Sequence, residues 1–536
     1  MRGVEMRMSG LASRVVMLMA ATAMTGCAQT ATTGASVPAP ARQAVAGKRP
    51  NVLLILVDDL KPSLRSFGDA HAISPNIDRL AARGTRFERA YANQAVCAPS
   101  RINLMTGRRS TSTGIYNFGQ NLRDYMPDAV TLPQAFMRAG YRAESYGKVF
   151  HIGHGTKGDD ASWSAPPVKD HVIEYVDPDN AGKSTREEAL FNEITVPEDT
   201  DIFKYATTLA RGAAWEDPDV ADDAYADGRT AIRASQRLAQ LKTGDQPFFL
   251  AVGFARPHLP FSVPKRYWDM YDPAKLPMPD FEEMPEGAPP FAGKMGGEIA
   301  AYMPVPEGQV PGKAFPEALK RKLIHGYYAG VSYVDAQIGK VLDALEREGL
   351  ADNTIVVLWG DHGYHLGDHG IWTKHTNYEQ AVHLPIIFAG PGTGKAGSAP
   401  RQLAETVDIY PTLAQLAGVK PAPGTQPIDG TDLTPVLRDP GTQIRPYAYH
   451  AFNRPGRIGQ AIRTDRYRLI RWTQEATGQR VYELYDMTAD PGETRNIADT
   501  QPKVRAQLDA MLDAQPTPVS VNIKAQRDAV ARNQTR

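Results

Sequence analysis

Four short stretches of this chain are apolar at nearly every position rather than at every second one. Asn51-Val52-Leu53-Leu54-Ile55-Leu56-Val57 runs directly into Asp58-Asp59, and Thr354-Ile355-Val356-Val357-Leu358-Trp359-Gly360 into Asp361-His362. Residues 247–254 and 384–389 carry the same uninterrupted pattern. Alternation is useful only where one face of a strand meets water, so unbroken runs predict strands of a parallel sheet buried on both faces. Helical periods fall between them, at residues 75–83, 224–241, 317–348 and 408–417. The predicted fold is therefore α/β, a large mixed, mostly parallel sheet sandwiched by helices.

Two stretches break this rhythm, residues 152–222 and residues 271–315, the second rich in Pro, Gly and Met. Irregular segments of that length inside a compact domain usually form functional walls or lids. After about Pro435 the pattern shortens to strand-like runs at 460–464, 467–472 and 481–486 between polar turns, which predicts a small antiparallel C-terminal subdomain. The last segment, 502–536, opens on a helical period and ends polar. At the other end, Arg2, Arg7 and Arg14 precede an apolar run at 15–24 that is too short to span a bilayer but fits an export signal. Residues 28–48, rich in Ala, Thr, Pro and Gly, read as a tether. The expected division is a signal at 1–26, a linker at 27–48, a catalytic domain at 49–435 and the C-terminal subdomain at 436–536.

A chain of 536 residues that is 42% hydrophobic can bury a large core, enough for one large domain and a smaller one. Sixty basic residues balance sixty acidic ones, so no global field draws the protein to nucleic acid or to an anionic membrane, and any anion site must be local. The two cysteines, Cys27 and Cys97, stand in separate motifs, which argues against a structural disulfide.

In open α/β sheets ligands gather beyond the carboxyl ends of the strands, where Asp58-Asp59 and Asp361-His362 both fall. Either pair alone would read as a turn or a helix cap. Together they offer three carboxylates and an imidazole, a hard set suited to Ca²⁺ or Mg²⁺. The remaining chemistry centres on Cys97-Ala98-Pro99-Ser100-Arg101, followed by Thr106-Gly107-Arg108. Pro99 suits the first turn of a helix, whose free backbone donors and positive dipole end favour an anion. Arg101 adds a planar cation able to grip sulfate-like oxygens in pairs. A lone Cys-x-Pro is usually a buried structural cysteine at a helix start; five matching positions with the downstream Thr-Gly-Arg point to more.

The Cys97 run resembles the signature of the type I sulfatases of the alkaline phosphatase superfamily, and the resemblance is nearest to iduronate-2-sulfatase-like members. It extends over nearly the whole mature chain, through Val57-Asp58-Asp59-Leu60-Lys61-Pro62, Ser74-Pro75-Asn76-Ile77-Asp78, Gly147-Lys148-Val149-Phe150-His151, Arg256-Pro257-His258-Leu259-Pro260-Phe261, and Gly360-Asp361-His362-Gly363 on to Lys374. The resemblance implies that a maturation enzyme oxidises Cys97 to formylglycine (3-oxoalanine), whose hydrate attacks sulfur to give a covalent sulfoenzyme. It implies one Ca²⁺ held by Asp58, Asp59, Asp361, His362 and the modified Cys97, with Arg101, Lys148, His151, His258 and Lys374 around the sulfate. His258 would protonate the leaving sugar oxygen and His151 would deprotonate the remaining hydroxyl so that sulfate departs. The implied substrate is a sulfated saccharide, a 2-O-sulfated uronate or a related polysaccharide unit. His365 and His369 receive no role, and for His375 and Asn377 substrate contact and ordinary loop packing both stay open. Two other readings also stay open: a phosphodiesterase or phosphonate monoester hydrolase of the same superfamily, and an inactive, surface-anchored glycan-binding lipoprotein. Met24-Thr25-Gly26-Cys27 resembles a bacterial lipobox, which implies export and lipid anchoring through Cys27 in the periplasm or outer membrane, with plain signal cleavage as the alternative.

Overall fold

The computed structural model describes residues 49–197, 200–421 and 424–522; the expected signal, tether and lipobox cysteine lie outside the described residues. All residues of the strand Asn51–Val57 are buried. They divide by parity: Val52, Leu54 and Leu56 enter one core cluster and Leu53, Ile55 and Val57 another. A central strand with helices on both faces requires just this, and it is why the run could not alternate. Pro75–Arg83, Ala226–Leu241 and Glu317–Arg347 cover one face, while Cys97–Thr106, Leu132–Arg138 and Ile409–Leu416 cover the other.

The seven-stranded sheet has the order Ala404–Glu405, Gly84–Tyr91, His383–Ala389, Thr354–Gly360, Asn51–Val57, Phe248–Phe254, Arg142–Gly147. Asn51–Val57 pairs in parallel with both of its neighbours. One expectation is corrected here: the run at 384–389 is not parallel, since His383–Ala389 pairs antiparallel with Gly84–Tyr91 and with Thr354–Gly360. Burial on both faces leaves the same apolar signature whichever way the neighbours run, so the pattern carried no direction. Gly84–Tyr91 and Arg142–Gly147 escaped the apolar-run criterion because each has positions open enough to hold charge, such as Arg86, Glu88 and Arg142.

Ala448–Arg454, Arg457–Arg463, Tyr467–Gln474 and Arg480–Asp486 form a separate antiparallel four-stranded sheet. One face takes the helix Pro502–Asp513, with Leu508 and Leu512 packed among Ile462, Leu469 and Leu484. The other sets Ala461, Ile470, Trp472 and Tyr485 against Ala292 and Tyr378. Each such buried aliphatic side chain contributes about 1.5–3 kcal/mol relative to exposure. No helix among the described residues is long and apolar enough to cross a membrane.

Candidate active site

Val57 and Gly360 are register partners on adjacent parallel strands, so the two acidic pairs emerge side by side. Asp59 adopts a left-handed backbone (φ 56°), and its N–H donates to Asp361 Oδ1 at 3.0 Å. A non-glycine residue held there is common where a site dictates the backbone. Ligand atoms of Asp58, Cys97, Asp361 and His362 all lie within 4.8 Å of one another and are buried; Asp59 forms a second, overlapping group with Cys97 and His258.

The electrostatics of this set favour a cation. Burial pushes the Asp361 carboxyl well up, with the Asp58 charge adding to it. Burial likewise raises Asp59 to about 7, against the pull of Lys374. Burial works against Asp58 too, yet Lys148, His258 and Arg101 hold it well below the usual carboxylate range. Asp58 Oδ1 and Asp59 Oδ1 are buried and accept no hydrogen bond. His362 Nδ1 donates to the Gly363 carbonyl at 2.9 Å, which leaves the Nε2 lone pair facing Cys97 Sγ at 3.3 Å. Burial keeps this imidazole neutral, the form a metal binds. Crowded carboxylates and a pre-set imidazole fit a hard divalent ion.

Cys97 opens a helix whose residues are all buried. Val96 before it gives no side-chain cap, and the first helical bond runs from Ser100 N–H to the Val96 carbonyl at 2.9 Å. Pro99 has no N–H, so the amides of Cys97 and Ala98 form the positive end of the helix without intrahelical partners. The Ser100 hydroxyl donates to the Asp361 carbonyl and ties the helix start to the strand end. Burial, reinforced by Asp58, raises the Cys97 thiol well above its ordinary value. An unmodified Cys97 is thus a neutral thiol, and a poor nucleophile.

Arg101 is fully buried and turned toward the carboxylates: Nε lies 3.1 Å from Asp361 Oδ2, another nitrogen lies 3.3 Å from Asp58 Oδ1, and a third donates to the carbonyls of Lys148 and Val149. It organises the acidic set rather than reaching outward. Lys148 pairs with Asp58 Oδ2 and lies 5.0 Å from the centre of the Phe191 ring.

Beyond the cluster lies a cavity of about 170 Å³, lined among others by His151, Phe191, His258, Glu298 and His375. The two long loops do form its walls, since Glu187 and Phe191 come from one and Glu298 from the other. Both ring nitrogens of His151 are buried without a hydrogen-bond partner, and its ring packs 4.7 Å from Phe118. Burial, with Lys148 close by, holds this imidazole well below its ordinary pKa, in the form of a base. His258 Nδ1 pairs with the Leu259 carbonyl at 2.6 Å, and Nε2 faces Glu298 Oε1 at 3.1 Å. Lys374 reaches Asp59 at 3.1 Å and Glu298 at 2.9 Å. Burial opposes the Lys374 charge, but the carboxylates Asp59, Glu298 and Asp58 outweigh it and raise its pKa.

Glu298 is the residue that sequence reasoning missed. It stands in Gly296-Gly297-Glu298-Ile299 within an irregular loop, where no spacing marks it. His375 does line the cavity. Asn377 instead joins the subdomain, donating to the Gly459 carbonyl at 3.0 Å and pairing with His450. His365 pairs with Thr376 and His369 with the Gly492 carbonyl, both at 2.9 Å, as loop-packing residues.

Comparison with known proteins adds the family. The family model described as Sulfatase matches residues 50–419. The chain belongs to the sulfatase family. A second model, described as N-sulphoglucosamine sulphohydrolase, C-terminal, matches residues 367–517. Human iduronate 2-sulfatase is 35% identical over 407 residues, covering 70% of this chain and 70% of that protein. Among solved structures, one in complex with its substrate D-glucosamine-2-N,6-O-disulfate superposes with a TM-score of 0.63 at 22% identity, covering 90% of this chain and 99% of that one. The phosphonate monoester hydrolase of Agrobacterium radiobacter gives 0.66 at 24% identity, covering 89% and 96%. At those identities the structural likeness speaks for the fold alone. As a sulfatase, this chain is a sulfuric ester hydrolase, the enzyme class its Cys97 motif led us to expect.

Proposed function

We propose that this sulfatase removes a sulfate ester from a saccharide, a 2-O-sulfated uronate or a related sulfated polysaccharide unit, using formylglycine made from Cys97 by a maturation enzyme and one Ca²⁺. The observation that carries the reading is the convergence of Cys97, Asp58, Asp361 and His362 beside a cavity that holds an unpartnered, neutral His151 and a Glu298-paired His258. The kinship with iduronate 2-sulfatase supports the sugar and the 2-O position. The phosphoester alternative has only a likeness of fold behind it. A glycan-binding protein without activity would have no use for the buried acid–base and cationic set.

Asp58, Asp59, Asp361 and His362 would hold the metal together with residue 97. When present, the ion would neutralise sulfate oxygens, and the hydrated formylglycine would supply a nucleophile that a buried thiol does not. The chain's own groups do the rest. Lys374 and Lys148 add positive charge where the ester's negative charge must be stabilised. Arg101 fixes Asp58 and Asp361 in place. His258 hands a proton to the departing sugar oxygen, and Glu298 favours its charged form against the burial that pushes it down to about 3. His151 accepts a proton as sulfate is released. Export and lipid attachment at Cys27 belong to the same proposal. Desulfation assays across defined sulfated saccharides, with an aryl sulfate and an aryl phosphodiester alongside, test it: sugar desulfation is expected, and phosphodiester turnover in its place would overturn it.

A further inference from the structure

A second hollow, of about 940 Å³, adjoins the catalytic cavity, and Phe118 and His375 line both. Its walls come from the 271–315 loop at Phe291 and Lys294, and from the hairpin turn of the C-terminal sheet at Asn453, Arg454 and Arg457. No Asp or Glu is among the residues that line it, although acids and bases are equal in number along the chain. The field inside is therefore positive and locally uncompensated.

The cations divide into two kinds. Arg454 spends its donors on the carbonyls of Phe291, Ala292, Gly293 and His375, at 2.7 to 3.0 Å, and so builds the wall. Lys294 and Arg457 make no ion pair among the described residues, and Arg457 lies 4.6 Å from the centre of the Phe291 ring. Burial, with Arg454 adding to it, lowers the Lys294 pKa, as expected of an ammonium short of an anion. Glu475, tied to the hairpin by its N–H to the Gly456 carbonyl at 3.0 Å, turns its carboxylate to Ser520 and to the Val521 N–H. The half-buried Phe291 ring suits the C–H face of a sugar ring, and Asn117, Gln309 and Asn453 offer amides to hydroxyls.

We infer that this groove holds the sugar units next to the one being desulfated, and that Lys294 and Arg457 bind an anionic group, carboxylate or sulfate, on them. The enzyme then acts on an anionic oligosaccharide in preference to a free sulfated monosaccharide. This rests on the saccharide-sulfatase reading given above.

The test compares kcat/KM for a sulfated monosaccharide with that for the same unit joined to a neighbour bearing a carboxylate, a sulfate or no charge. Wild type should prefer a charged neighbour, and the two charged arms show which anion is read. Lys294→Ala and Arg457→Ala should each lower that preference about tenfold, the scale of one lost charge-assisted hydrogen bond. An unchanged preference in both variants would overturn the inference. Calorimetry with an unsulfated oligosaccharide of alternating hexuronate and N-acetylhexosamine separates groove from chemistry. Binding that the double variant loses supports the groove even if wild type desulfates nothing, a result that would sink only the functional reading. Failure of wild type to bind this probe counts against the groove.

Discussion

His258 pairs through Nδ1 with the Leu259 carbonyl and through Nε2 with Glu298, so both nitrogens face acceptors and the geometry suits the charged, proton-giving form. Burial opposes that charge, and the carboxylate of Glu298 is the largest influence restoring it. Glu298→Gln should therefore slow a sugar sulfate by on the order of tenfold or more, and an activated aryl sulfate much less, because only the poor leaving group needs the proton. Steady-state rates on the two esters check this, and equal losses would contradict it. His151→Ala should act later: rapid-mixing kinetics should show a burst of the released alcohol followed by slow turnover, with the same slow phase for both esters. Much of this site was legible in the sequence. Asp58, Asp361 and His362 follow apolar runs that could only be buried strands, and Cys97 sits in a dense motif. Glu298 was not legible, because a lone carboxylate in a Gly-rich loop acquires meaning only when folding sets it against His258 and Lys374. Arg101 could be named from its motif, but its direction, toward Asp58 and Asp361, depends on strand register.

Between the two sheets lies a buried ionic junction that no local pattern predicted. Arg468, from the Tyr467–Gln474 strand, pairs with Glu493 at 2.7 Å and with Glu379 beside the His383–Ala389 strand, and Arg463 reaches Glu379 at 3.3 Å. Arg468 is fully buried, so Arg468→Ala strands Glu493, leaves Glu379 with Arg463 alone, and should cost about 3–5 kcal/mol in a denaturation experiment. Burial alone would raise the Glu379 carboxyl, but Arg463 and Arg468 overcome it and hold it well below the usual range. A depressed folded-state pKa adds stability that is present above the unfolded carboxyl value and is lost as pH falls through the folded one. Wild type should therefore lose stability on acidification at this junction, and Glu379→Gln should flatten that part of the acid limb; an unchanged limb would contradict the assignment. At this scale most strands and helices were legible from apolar runs and helical periods, while the direction of His383–Ala389 and the packing of the C-terminal sheet on Ala292 and Tyr378 depended on contacts distant in the chain.

Across the whole molecule, a divalent ion held by the three buried acids would be a matter of stability as well as chemistry. Ca²⁺ that binds only the folded state stabilises by about 2.7 kcal/mol at a hundredfold excess over its Kd. Calcium added to stripped protein should raise Tm, and Asp361→Asn should abolish that rise. The metal-free variant should differ little from metal-free wild type, since burial and the neighbouring Asp58 already favour the neutral form of Asp361 when no metal is bound. A rise produced by zinc and not by calcium would count against a hard-ion site. If Cys27 carries lipid, Cys27→Ala should move the protein from the membrane fraction to the soluble one. The central claim turns on residue 97, and its most direct test is the mass of the peptide spanning that residue in a preparation that is desulfating a saccharide. The account predicts a peptide lighter by the difference between CH₂SH and the free aldehyde CHO, in proportion to activity. An unmodified thiol throughout fully active enzyme would contradict it.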